Sequence, residues 1–176
     1  QEIRIKYRWQ AIDRENEAIE KAKKNKKRFE PAVLVNGDTV KQLLARSRYF
    51  LYKNKSKWTA NQLQRALLLF ELYPDIKEAY NLSQGLRNIF ENTTDKIIGF
   101  ARLAKWHEKV NQSGFKSFNT ISRTIINHYQ NILNYFDNRS TNASAESFNA
   151  KIKAFRSQFR GVRNIEFFLF RLTNIY

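Results

Sequence analysis

Residues 141–153 read Thr141-Asn142-Ala143-Ser144-Ala145-Glu146-Ser147-Phe148-Asn149-Ala150-Lys151-Ile152-Lys153. At roughly 100° per residue this stretch is a helix with two unlike faces. Phe148, Ile152, Phe155 and Phe159 fall on one side, and Glu146, Asn149, Ala150, Lys153 and Arg156 on the other. The polar side opens with a carboxylate, passes through an amide and ends in cations. A lone acid leading a basic stripe suits a metal ion beside a phosphate backbone better than it suits a solvated surface. Arg160 and Arg163 carry the stripe on to the break at Gly161. Guanidinium forks match phosphate oxygens bidentately. Two plainer roles stand beside this one: Lys153, Arg156, Arg160 and Arg163 as a solvated basic face, and Glu146 as a helix cap.

The whole chain is basic. It has 176 residues, with 32 Lys plus Arg against 16 Asp plus Glu, a net charge of +16. That balance points to a polyanion, most often nucleic acid. Cysteine is absent, which excludes disulfides and Cys-ligated zinc and fits a cytoplasmic location. Methionine is absent even at position 1, so we expect a chain that is either processed or a fragment of something longer. No apolar run reaches the ~20 residues a membrane helix needs, and no signal-peptide pattern is present. With 42% hydrophobic and 14% aromatic residues the chain is not disordered. Five Gly and two Pro leave too little punctuation for a turn-rich β protein.

Helical periodicity runs through nearly all of the sequence. Residues 1–29 read as one helix, with Ile5, Trp9, Ile12 and Ile19 along its apolar face and the basic run Lys21 to Arg28 at its end, stopped by Pro31. Residues 32–37 form a short extended link. Asp38 is placed to cap a helix carrying Val40, Leu43, Leu44 and Leu51. After a basic loop at 53–58, Thr59 and Gln62 have capping-box spacing and open a helix on Leu63, Ala66, Leu67 and Phe70. Pro74 starts the next, with Ile76, Tyr80, Leu86 and Phe90. Thr94 or Asp95 opens a helix over 95–112 that stops at Ser113-Gly114. A single helix then runs from Ser117 through Phe118, Ile121, Ile125, Tyr129, Ile132 and Phe136. Residues 137–140 turn into the Glu146 helix. Asn164 caps a last, almost wholly apolar helix from Ile165 to Tyr176. About eight helices with short connections predict an all-α bundle. Phosphate-loop, HExxH, GxSxG and zinc spacings are all missing. His128 shares a face with Ile121, Ile125 and Ile132 and reads as a core histidine. His107 is also read as structural.

Asn142-Ala143-Ser144-Ala145-Glu146-Ser147-Phe148-Asn149, Lys151-Ile152-Lys153, Arg156 and Gly161-Val162-Arg163-Asn164 resemble the C-terminal signature of bacterial insertion-sequence DDE transposases of the ISL-three group. Ala143 stands where that family usually has Gly, and Val162 where it usually has an aromatic. The likeness is densest over 137–172 and extends loosely over the rest.

The resemblance implies a ribonuclease-H-like enzyme that cleaves and joins DNA phosphodiesters with two Mg²⁺ (or Mn²⁺) ions. Glu146 would be its third carboxylate and a metal ligand. Asn149, Lys153, Arg156, Arg160 and Arg163 would lie along transposon-end DNA. The family's other two carboxylates sit on sheet strands ahead of a helical insertion, and no such strands are legible here. We therefore expect the insertion at 1–136 and the catalytic-helix segment at 137–176, without the central sheet. By itself such a piece would bind no metal and be inactive, and a homodimer of the intact enzyme stays open. Two alternatives are a self-contained basic helical module that binds nucleic acid without catalysis, and a dimerisation domain.

Overall fold

The computed structural model describes residues 1–139 together with 150, 153, 154, 156, 157, 166, 167 and 170. Among these residues the fold is all-α. Seven α-helices follow in order: α1 (Glu2–Lys24), α2 (Val40–Arg46), α3 (Ala60–Leu72), α4 (Pro74–Asn92), α5 (Lys96–Ser113), α6 (Lys116–Asn127) and α7 (Tyr129–Asn138). The link at 32–37 closes a tight turn. It carries a bridge between Val33 and Thr39, the Leu34 and Gly37 N–H groups donate to the carbonyls of Asp38 and Leu34, and Gly37 sits at φ 77 in the left-handed region.

Local chemistry explains most of the boundaries. Thr39 with Gln42, and Thr59 with Gln62, form complete capping boxes at α2 and α3. Each satisfies two backbone N–H groups that a helix start otherwise leaves unpaired. Pro74 takes the first position of α4. Asp95 accepts from the Ile98 N–H at the start of α5, and Gly114 ends that helix at φ 69.

Two clusters of buried side chains form the core. Leu43, Leu44, Phe50, Ala66, Leu69 and Ile76 join α1, α2, α3 and the first turn of α4. Leu82, Ile89, Leu103, Trp106, Val110, Leu133 and Phe136 join the rest of α4 to α5 and α7. Helix α4 thus belongs to both and is the spine of the fold.

The structure corrects five expectations. First, Asp38 is not the cap of α2, because Thr39 does that work. Asp38 is instead 2% exposed and paired with Arg46 and Arg65. Second, α1 ends at Lys24 instead of 29, as Asn25 leaves the helix and Lys26 turns left-handed at φ 52. Like charges stacked over 21–28 disfavour further turns. Third, α1 packs through Ile3, Tyr7 and Ala11, while Ile5 and Trp9 are exposed. Fourth, Leu67 is exposed, because the inward stripe of α3 follows Ala66, Leu69 and Phe70. Fifth, the expected helix through 117–136 is two helices that break at His128, which is exposed. The Thr120 and Thr124 hydroxyls donate to the carbonyls of Lys116 and Thr120. Such back-bonding bends a helix without any Gly or Pro.

Candidate functional site

Of the basic stripe, the structure describes Lys153 and Arg156. Both are helical and exposed, and their three-residue spacing puts them on one side of the helix. Beside them Ser157 Oγ donates to the Ala154 carbonyl at 2.7 Å. Glu146, Asn149, Arg160 and Arg163 lie outside the described residues, as do the break at Gly161 and the cap at Asn164. Glu166, Phe167 and Phe170 are helical and exposed.

Elsewhere Arg4, Arg46, Arg65, Arg102 and Arg139 tie parts of the fold together. Arg65 Nε donates to Asp38 Oδ2 at 2.6 Å, Arg46 pairs with the other oxygen, and Asn36 Nδ2 donates at 3.0 Å. Burial alone would raise the Asp38 carboxyl, but the Arg65 and Arg46 guanidiniums and the Asn36 amide outweigh it and hold it below the usual carboxylate range. Arg4 is buried and donates to the Leu44 carbonyl at 3.1 Å. Burial, then the charges of Arg8 and Arg48, push its guanidinium below its usual value. Arg102 donates to the Asn92 carbonyl and Thr93 Oγ1, and Arg139 to the carbonyls of Glu91 and Thr93. Together they neutralise the negative end of α4.

Most lysines have no such task. Lys23, Lys41 and Lys96 pair with Glu20, Glu15 and Asp137. The remaining lysines make no ion pair among the described residues. Their charge is therefore free to meet a polyanion.

The histidines do not build a site. His107 Nδ1 lies 2.6 Å from Ser122 Oγ, and its Nε2 lies 2.9 Å from Asn111 Nδ2. It ties α5 to α6, as expected of a structural histidine. Among the described residues no three His, Cys, Asp or Glu side chains gather where they could hold a metal ion. No helix among them is long and apolar enough to cross a membrane.

One surface escaped the reading of the sequence. A groove of about 740 Å³ runs between α4 and α5. Asn81, Asn88 and Asn92 line the α4 side, and Arg102, Lys105 and Lys109 line the α5 side. Buried Leu82, Ile89 and Trp106 form its floor. Trp106 is fixed there by its indole N–H, which donates to the Leu82 carbonyl at 2.8 Å. The signal was present as cations at i, i+3 and i+7 on a predicted helix. Nothing in one sequence showed that a row of amides would face them.

The family model for DDE transposases of the ISL-three group, described as a transposase, matches residues 9–172. No curated protein and no solved structure matches the chain. Since the match covers the helical bundle as well as the segment around Glu146, the chain belongs to the ISL-three family of DDE transposases.

Proposed function

We propose that the chain supplies the helical insertion and the final catalytic helix of an enzyme that cleaves and rejoins DNA at transposon ends. The family match over residues 9–172 carries this reading. The charge of +16 and the exposed Lys153 and Arg156 support it. In this reading Lys153, Arg156, Arg160 and Arg163 pair with phosphates along the DNA, and Asn149 donates from the same helix face. Glu146 is the carboxylate of the set that this chain provides. Two further acids come from the sheet strands that the family resemblance puts ahead of the insertion.

Mg²⁺ or Mn²⁺ bound by the complete carboxylate set would activate the attacking oxygen and stabilise the leaving one. Glu146 alone cannot hold two ions that each demand near-octahedral oxygen coordination. The 176 residues by themselves should therefore be inactive. A homodimer of the intact enzyme remains compatible with this reading.

DNA binding against salt tests it. Each phosphate contact contributes roughly 0.9 to the slope of log K against log salt. Arg156→Ala and Arg160→Ala should each flatten the slope for duplex DNA by about one unit. An unchanged slope in both would make the stripe mere solvated surface.

A further inference from the structure

The groove between α4 and α5 is not explained by the stripe around Glu146. We propose that it seats a DNA phosphate backbone, a second contact surface separate from Lys153 and Arg156. This rests on the reading of the chain as a DNA-acting enzyme.

The two walls differ in chemistry. On α5, Arg102, Lys105 and Lys109 span seven residues, or about 10 Å of helix. Phosphates on one strand recur about every 3.4 Å along a duplex, so this row matches a short run of backbone. Arg102 is anchored by Asn92 and Thr93, which fixes one end of the row. Lys105 and Lys109 are exposed and make no ion pair among the described residues. The α4 wall adds amides, which both donate and accept and so suit phosphate or sugar without demanding a sequence. Among the described residues Glu78 is the one carboxylate lining the groove, so that lining is net positive.

Gly85 supplies a probe that leaves the fold intact. It lines the groove, and a Cβ built there meets only Trp106 Cδ1, at an ordinary 3.7 Å. A Cβ therefore fits at this position in ordinary contact, and a longer side chain built on it probes the groove.

The test measures binding of a short duplex to the full chain across a salt series, with thermal melts confirming the fold of each variant. Lys105→Gln combined with Lys109→Gln should flatten the slope by about 1.8 units, two contacts at roughly 0.9 each. Gly85→Glu should weaken binding several-fold more than Gly85→Gln. A wild-type slope in the double variant, with Arg156→Gln still flattening it, would overturn the groove and leave the DNA reading standing. Absence of any DNA binding by the unmodified chain would sink that reading itself. Loss of polyglutamate binding in the double variant, with DNA binding unchanged, would assign the groove to an acidic protein instead.

Discussion

Asp38 shows how much of the basic charge is structural. Its carboxylate is buried between Arg46 and Arg65, and removing one member of such a set strands the others. Asp38→Asn should cost about 3 kcal/mol at neutral pH, the low end of the range because both arginines keep some solvent. The folded carboxyl lies below its ordinary value, so its stabilisation is complete above the unfolded pKa of about 4. That stabilisation is lost as pH falls through the folded pKa. Urea melts should therefore show the gap between wild type and Asp38→Asn shrinking in acid. A gap that stays constant would mean packing, not charge. Glycines make a sharper pair. A Cβ at Gly99 would lie 2.6 Å from the Phe136 ring, a clash costing about 2 kcal/mol against about 1 gained in helix propensity. Gly99→Ala should then lower Tm by roughly 3 °C. Gly85→Ala, whose Cβ meets only Trp106 Cδ1 at an ordinary 3.7 Å, should raise it by a similar amount.

Helix starts were the most legible elements, because their chemistry is local. The box of Thr59 and Gln62 needs only a side chain and a backbone N–H three residues apart, and it is formed as the spacing predicted. Thr59→Ala should cost about 1 kcal/mol, read as a fall in the denaturation midpoint with an unchanged slope. Thr39 and Asp38 show the limit. Both are good caps on intrinsic preference, and only the distant Arg65 explains why Asp38 turns inward. The faces of α1 and α3 were misjudged for a related reason. In helices this rich in apolar and aromatic residues several stripes are equally periodic, and the partner chooses among them. The break at His128 carried no Gly or Pro and was invisible for that reason. At the site, the cations of α5 were readable, but their pairing with the amides of α4 depends on how two helices dock.

At the scale of the whole molecule, α4 joins two cores, and the buried Arg4 and the pair of Arg46 and Arg65 on Asp38 tie the first of them together. Glu146 is proposed above as a member of the catalytic carboxylate set of a DDE transposase. The most direct measurement is Mg²⁺-dependent cleavage of transposon-end DNA by the full-length enzyme carrying Glu146→Gln, which keeps the size of the side chain and removes its charge. Cleavage should be abolished while DNA affinity and Tm stay near wild type, since the site loses an ion ligand and no packing. Cleavage retained in that variant would assign the catalytic acid elsewhere, and loss of folding would make Glu146 a structural cap.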